Sequence, residues 1–199
     1  METIFNAAKN GNAAELVTLI EGGVGIDSKD PQDGRTALIW AAEKGHVECV
    51  RLLIDNGADK EATIPGGVTA LMSATIQGNV ECARLLMNGG ADKDAKNENG
   101  STALILAAII GHSDCVRLLT DGGADKEVKH ANGRTALSFA ATCGRTDCVR
   151  LLLNGGANTE ARDLDGLTAL ICAADKGHMD CVRLLIDGGA NTDVVDNGG

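Results

Sequence analysis

The sequence predicts an all-α solenoid of stacked helix-turn-helix repeats with short β-turn fingers. Glycine, cysteine and arginine each recur at a fixed step of 33 residues in five copies. Every copy contains two short segments in which apolar residues recur with helical spacing, and neither segment is long enough to be stable alone. The chain of 199 residues has one Trp, two Phe and no Tyr, which is few for one compact core. Thin layers that bury their apolar faces on one another need fewer large side chains.

The period divides the chain into repeats, which we interpret as one domain over residues 1–199. Five full repeats follow a divergent N-terminal repeat, whose polar residues are typical of a cap, and another repeat begins at the C-terminus. The predicted ranges are 1–30 for repeat 1, 31–63, 64–96, 97–129, 130–162 and 163–195 for repeats 2 to 6, and 196–199 for the start of the next.

Repeat 2 shows how the sequence predicts each element in turn. Gly34 belongs to a tight-turn dipeptide, because glycine tolerates positive φ. Thr36 is a predicted N-cap for a first helix over residues 37–44, which ends at Gly45. A second helix is predicted over residues 47–55, where apolar residues at spacings of three and four form one face. The short loop between the helices predicts that they pack antiparallel.

These motifs resemble the ankyrin repeat over essentially the whole chain. In repeat 2 the resemblance rests on Gly34-Arg35-Thr36-Ala37-Leu38, Ala41-Ala42, Gly45-His46, Leu52-Leu53 and Gly57-Ala58-Asp59. The family usually has Thr-Pro-Leu-His, whereas this chain has Thr-Ala-Leu followed by Ile39 or its counterparts. We therefore expect aliphatic packing in place of the hydrogen-bond ladder that this His makes in the family. The resemblance implies an ankyrin-type solenoid that acts as a protein-protein interaction scaffold or adaptor.

Seven Cys and four His do not predict a metal site. His46 and Cys49 have helical i, i+3 spacing, but such a pair recurs only in alternate repeats. Packed helices lie about 8 to 10 Å apart, so two such pairs are too distant to share one zinc ion. We interpret the five periodic cysteines as free core residues, Cys172 as a sixth, and Cys143 as exposed.

The sequence does not predict an enzyme. A carboxylate stands three residues before each periodic arginine, which indicates surface ion pairs rather than a catalytic pair, because all five copies are alike. No cofactor and no metal are expected. The net charge of -10 disfavours nucleic acid, which binds basic surfaces. No segment is apolar enough for a membrane span, and neither a secretory signal nor an even cysteine count is present. We expect an intracellular, cytoplasmic protein, with the nucleus as an open alternative.

The resemblance implies that turn tips and exposed first-helix residues line a concave face that binds a protein partner. The corresponding residues are Arg35, Glu43, Lys44, Val68, Ile76, Gln77, Ser101, Ile109, Ile110, Arg134, Thr142, Cys143, Leu167, Asp175 and Lys176. The middle of this face is apolar and its ends are charged, as at a protein interface. We hypothesise that it docks an apolar segment, and that changing Ile109 and Ile110 together to Asp abolishes binding. Tolerated surface aliphatics are the alternative.

Two further functions stay open at this point. The chain is alternatively the recognition arm of a larger enzyme or channel. It is alternatively a structural element that associates end to end, because repeat 6 keeps apolar residues where a terminal repeat is normally polar. Those residues are Ile171, Cys172, Leu184, Leu185 and Ile186.

Overall fold

A computed structural model describes residues 3–193, and all the regular elements in this range are α-helices. An isolated antiparallel bridge joins Ile64 and Val68. The predicted repeat start at 196–199 lies outside the described residues. The helices are α1 (Ile4–Asn10), α2 (Ala13–Glu21), α3 (Ala37–Lys44), α4 (Val47–Asp55), α5 (Ala70–Gln77), α6 (Val80–Asn88), α7 (Ala103–Ile110), α8 (Ser113–Asp121), α9 (Ala136–Thr142), α10 (Thr146–Asn154), α11 (Ala169–Asp175) and α12 (Met179–Asp187).

The chain divides into two compact units, unit 1 over Met1–Glu98 and unit 2 over Asn99–Gly199. Unit 1 contains α1 to α6, and unit 2 contains α7 to α12. In unit 1, α3 packs against α1 and α5, and α4 packs against α2 and α6. In unit 2, α9 packs against α7 and α11, and α10 packs against α8 and α12. That residues 1–199 form one domain stays a prediction.

The first helix of each full repeat begins as predicted, and in repeats 2 to 4 it ends at the predicted glycine, whereas α9 and α11 end one residue earlier, with Cys143 and Lys176 as C-caps. The Thr36 hydroxyl accepts a hydrogen bond from the Ile39 amide (3.3 Å), and Gly45 ends α3 with a φ of 76°. The same threonine caps α5, α7, α9 and α11. The Ile39 side chain is fully buried, which confirms aliphatic packing at the position that departs from the family motif.

A hydrogen-bond ladder that the sequence did not predict joins neighbouring repeats. In repeats 2, 3, 5 and 6 the residue before the second helix reaches the last carbonyls of the preceding repeat's first helix, which have no partner within their own helix. In unit 1 the pairs are His46 Nε2 with Lys9 O (3.0 Å) and Asn79 Nδ2 with Glu43 O (2.9 Å); in unit 2 they are Arg145 Nε with Ile109 O (3.0 Å) and His178 Nε2 with Thr142 O (3.1 Å). His46 and His178, two of the histidines before the cysteines, are therefore structural.

Acidic residues form a second ladder near the turn fingers. Each accepts a hydrogen bond from a backbone amide one repeat further along the chain. The pairs are Asp27 with Asp59 N (2.8 Å), Glu61 with Asp92 N (2.8 Å), Glu127 with Asn158 N (2.9 Å) and Glu160 with Asn191 N (2.9 Å). Part of the negative charge of the chain therefore belongs to carboxylates that hold neighbouring repeats together.

The predicted surface ion pairs are confirmed on all five periodic arginines. Their nitrogen-oxygen distances run from 3.2 Å for Arg84–Glu81 to 3.8 Å for Arg117–Asp114, and the side chains are between 49 % and 79 % exposed. Such pairs contribute about 0.2 to 1 kcal/mol each. Within residues 3–193, no helix is long and apolar enough to cross a membrane.

Candidate protein-binding face

The predicted binding residues occupy two positions in each repeat. One position directly precedes the threonine N-cap, as Arg35 does, and the other ends the first helix, as Glu43 and Lys44 do. An eight-residue helix is about 12 Å long, yet the Arg35 Nε donates to the Glu43 Oε2 at 3.0 Å because both side chains are long. In repeat 2, turn and helix end therefore share one face.

Ser101 corrects the prediction at one residue. The other predicted residues are half-buried or exposed, whereas Ser101 is 4 % exposed. Its position precedes the N-cap, where arginine, valine and leucine stand in the other full repeats and are half-buried. The Ser101 side chain is buried, so it adds no exposed surface to the face.

Unit 1 contains a cavity of about 200 Å³ on this face, between repeats 2 and 3. Five of its lining residues were predicted from the sequence, and Ile64 and Ser73 were not. The lining residues are Arg35, Glu43, Ile64, Val68, Ser73, Ile76 and Gln77. The cavity therefore combines three aliphatic side chains with one charged pair.

The charged wall of the cavity is held by a network around Arg35. Its Nη1 lies 2.8 Å from the Asp33 Oδ2, and its Nε lies 3.0 Å from the Glu43 Oε2. Glu43 also pairs with the Lys44 Nζ at 3.2 Å. The Arg35 and Glu43 side chains are 24 % and 17 % exposed, so this wall is fixed but open to a ligand.

Ser73 and Ile64 could have been found by comparing repeats. Ser73 occupies the position of Trp40 in repeat 2 and Phe139 in repeat 5, so a small residue leaves the space that the cavity occupies. Ile64 occupies a turn position that is polar in repeats 5 and 6, where His130 and Asp163 stand. The signal is the variation of these two positions from one repeat to the next.

In unit 2 the predicted apolar residues lie at two adjacent helix ends. Ile109 and Ile110 are the last residues of α7, and both are half-buried. Thr142 ends α9, which packs against α7, and Cys143 follows it as the C-cap. The Thr142 hydroxyl donates to the Ser138 carbonyl (2.7 Å), so this side chain is committed to its own helix. The aliphatic surface here comes from the two isoleucines.

In unit 2 an ion pair with a buried carboxylate joins repeats 5 and 6. The Arg134 Nε lies 2.9 Å from the Asp163 Oδ2, and the Asp163 side chain is 2 % exposed. Its Oδ1 accepts from the amides of Asp165 (3.0 Å) and Leu167 (2.9 Å). Burial alone would raise the pKa of the Asp163 carboxyl, but the hydrogen bonds from Arg134 and the two amides outweigh burial and lower that pKa. The pair fixes Arg134 and the backbone of Leu167.

The sixth repeat carries the charged end of the predicted face. Asp175 and Lys176 form an ion pair of 2.8 Å with both side chains more than half exposed. The hydrogen bond from Lys176 lowers the pKa of the Asp175 carboxyl. This pair is therefore solvated.

The cysteines are placed for packing. All seven are free thiols, six are buried and Cys143 is half-buried. Burial, together with a neighbouring carboxylate, raises the pKa of Cys82, Cys115 and Cys148 to about 11, which keeps them protonated at neutral pH. In the described part of the chain, no three His, Cys, Asp or Glu side chains are placed to hold a metal ion.

Comparison with known proteins agrees with this geometry. A family model described as "Ankyrin repeats (3 copies)" matches residues 4–97 and 84–163, and one described as "Ankyrin repeat" matches residues 165–197. Ankyrin repeat domain-containing protein 29 of Danio rerio is 51 % identical over 57 residues, which cover 28 % of this chain and 19 % of that protein. The human ankyrin repeat domain-containing protein 40 is 38 % identical over 60 residues, covering 30 % and 16 %. The matched segments thus span less than a fifth of these relatives.

Solved structures match over nearly the whole chain. An ankyrin repeat domain from Acinetobacter baumannii AYE is 32 % identical with a TM-score of 0.87, covering 94 % of this chain and 98 % of that one. The ankyrin repeat domain of Bcl-3, of the IkappaB protein family, is 29 % identical with a TM-score of 0.90, covering 98 % and 90 %. These domains are generally modules for protein-protein interaction. With helix pairs, capped turns and sequence all in agreement, the chain belongs to the ankyrin-repeat family.

Proposed function

We propose that the chain is a scaffold or adaptor that binds a protein partner on its predicted binding face and catalyses no reaction. The cavity of unit 1 carries this proposal, because two consecutive repeats build it from residues predicted to bind. Its aliphatic wall is half-buried, so a partner side chain that enters it removes further apolar surface from water. An apolar centre beside a polar rim is the usual anatomy of an interface.

The isoleucines on this face are not required by the scaffold. The position of Ile76 and Ile109 holds Glu43, Thr142 and Asp175 in the other full repeats. By contrast, the N-cap threonine and the core cysteine are the same in all five. A position that accepts acidic residues within one fold does not need an aliphatic side chain for stability. The isoleucines therefore support a binding role better than a packing role.

The repeats themselves supply variants that test the proposal. Ile109→Glu with Ile110→Lys recreates the Glu43–Lys44 pair of repeat 2 in unit 2 without changing the net charge. Ile76→Thr recreates Thr142 in unit 1. The matched controls are Asn88→Asp in unit 1 and Asn154→Asp in unit 2, at an exposed second-helix position where other repeats carry Asp.

The measurement is quantitative affinity capture from lysate, with circular dichroism and thermal melting of each purified variant. We expect one set of captured proteins to be lost with the isoleucine variants and retained with both controls, at unchanged helicity. A set that is captured equally by all variants contradicts the proposal. So does a set lost equally with the control variants.

We also propose that the protein works in a reducing intracellular compartment. Six buried free thiols and one half-buried thiol support this, because oxidising compartments favour disulfides. The cytoplasm is the favoured compartment, and the acidic balance disfavours nucleic acid as the partner. Imaging of a tagged chain tests the compartment, and a secreted pool would contradict it.

Self-association through repeat 6 is a second candidate. The Met179 and Ile186 side chains are 58 % and 45 % exposed. The counterpart of Ile186 in repeat 5 is Leu153, and repeat 6 lies against it, since a Cβ at Gly188 would be 3.1 Å from Leu153. The open surface therefore matches one that another helix pair covers inside the unit. We propose a second copy of this chain as the occupant.

Sedimentation at increasing concentration tests self-association. The double variant Met179→Thr with Ile186→Thr introduces the residues that other repeats carry at these positions, Thr146 in repeat 5 and Thr120 in repeat 4. The fold therefore accepts both substitutions. We expect a concentration-dependent dimer for the natural chain and a monomer for the double variant. A natural chain that stays monomeric, or an equally dimeric variant, excludes this candidate.

A further inference from the structure

The single tryptophan of the chain gathers three cationic groups in unit 1. The Lys9 Nζ lies 4.3 Å, the Arg35 Cζ 4.6 Å and the Lys44 Nζ 5.5 Å from the centroid of the Trp40 ring. The ring itself is 7 % exposed, so these side chains cover what remains of its face. Attraction between cation and ring holds each positive group in place. We call these four residues the tryptophan cluster.

The carboxylates beside the tryptophan cluster do not balance its charge. Arg35 pairs with Asp33 and Glu43, and Lys44 pairs with the same Glu43. Among the residues that the structure describes, the Lys9 ammonium has no ion-pair partner. Three cations and two carboxylates leave one positive charge in excess, on a chain whose net charge is -10. The tryptophan cluster is therefore locally opposite in sign to the chain.

The excess charge lies next to the cavity of unit 1. Arg35 belongs to both, because it stacks on Trp40 and also lines the cavity with Glu43. Ile64, Val68 and Ile76 line the cavity further along. Lys9 occupies in repeat 1 the position of Glu43 in repeat 2, so it continues the same face toward repeat 1. A ligand lying along this face meets the Lys9 ammonium first and the aliphatic cavity next.

We infer that unit 1 binds a partner segment in which an Asp or Glu side chain pairs with Lys9 while a neighbouring aliphatic side chain enters the cavity. This inference rests on the proposed function and names the chemistry of the partner. A carboxylate matches the single uncompensated charge. A phosphate dianion would place further negative charge beside Asp33 and Glu43, so a phosphopeptide is disfavoured.

A peptide titration of the isotope-labelled full chain tests the inference. Trp40 provides one indole N–H signal, at the site itself. The probes are acetyl-Glu-Gly-Leu-Gly-Glu-amide, its Gln counterpart and its phosphoserine counterpart. We expect the Glu peptide to bind about two- to fivefold more tightly than the Gln peptide at low salt. The preference is expected to disappear in about 0.5 M salt, because exposed charges are then screened.

Variants assign the preference to its residue. Lys9→Gln should remove the preference for Glu over Gln, and Lys9→Arg should keep it. Lys96→Gln makes the same charge change at an exposed position of unit 1 and should leave the preference unchanged. Ile76→Thr should weaken the Glu and Gln peptides alike, because it reduces the aliphatic wall without changing charge.

The outcomes separate this inference from the proposed function. If the Glu and Gln peptides bind equally well and Ile76→Thr weakens both, the inference is overturned. The proposed function then still stands. A preference that persists in Lys9→Gln also overturns it, as does tighter binding of the phosphoserine peptide. If no peptide binds, the inference fails, while the capture experiment still decides the proposed function.

Discussion

Replacing Asp163 by asparagine should destabilise unit 2 because this carboxylate joins two consecutive turn fingers. It accepts from Arg134 at 2.9 Å and from the Asp165 and Leu167 amides at 3.0 and 2.9 Å, with 2 % of its side chain exposed. Hydrogen bonds to charged groups contribute about 1.5 to 3 kcal/mol, and breaking a buried pair costs about 3 to 5 kcal/mol. Arg134 is 22 % exposed, so water partly replaces its lost partner. We expect the asparagine variant to lose about 2 to 3 kcal/mol of the free energy of unfolding near neutral pH.

The effect of this substitution should depend on pH. The pKa of the Asp163 carboxyl is lowered in the folded chain, whereas an unfolded Asp titrates near about 3.9. Its charge therefore stabilises the fold fully above the unfolded value, and this contribution is lost as pH falls through the folded value. The asparagine variant lacks that contribution at every pH. The difference in free energy of unfolding between the natural chain and the asparagine variant should thus become smaller below about pH 4.

Urea unfolding followed by far-ultraviolet circular dichroism measures this difference in free energy of unfolding, near neutral pH and at acidic pH. The control is Asp165→Asn in the same turn, where Asn99 and Asn132 show that other repeats accept asparagine. We expect the control to lie within about 0.5 kcal/mol of the natural chain. Equal losses for the two variants, or a gap that does not change with pH, would refute the reasoning.

Further predictions concern the scaffold, the thiols and the cavity. Thr102→Ala should cost about 1 kcal/mol in urea unfolding, because its hydroxyl caps α7, and Thr102→Ser should cost less. Gly133→Ala should lower the free energy of unfolding more than Gly156→Ala does, although both glycines have positive φ. A Cβ at Gly133 would lie 2.8 Å from a backbone nitrogen, whereas a Cβ at Gly156 would have nothing within 4 Å. Equal losses would show that the close approach has no energetic effect. In a thiol-labelling time course, Cys143 should react before the six buried cysteines, and simultaneous labelling would contradict their burial. Ser73→Leu should fill the cavity of unit 1 and reduce partner capture at unchanged helicity, and full capture would exclude the cavity as the site.

Local chemistry made the helices predictable to the residue. The helices predicted over 37–44 and 47–55 agree with α3 and α4, because a threonine cap and a glycine end act within one turn of the chain. The period carried the same assignment through the other full repeats, except that α9 and α11 end one residue earlier than it predicts. The core cysteines followed as well, since a position that is buried in one stacked layer is buried in the next.

The binding face was predictable as a set of positions but not as a surface. The period identified where variable residues stand, and most of them are accessible. Ser101 was wrong because it is buried, and its position in the repeat does not reveal that burial. Lys9, Ile64 and Ser73 were missed because their role depends on a neighbouring repeat. Variation alone does not show which residues meet.

By itself, the sequence determined the family, the helix boundaries, the caps and the core positions of this protein, because each depends on interactions within a few residues or on strict repetition. Only the tertiary structure decided that Arg35 connects a tryptophan to a cavity, and that Asp163 is a buried ion-pair partner of Arg134. The cavity is lined by residues of repeats 2 and 3, and the ion pair joins repeats 5 and 6. Their distances are set by how one repeat packs on the next, which no local spacing encodes.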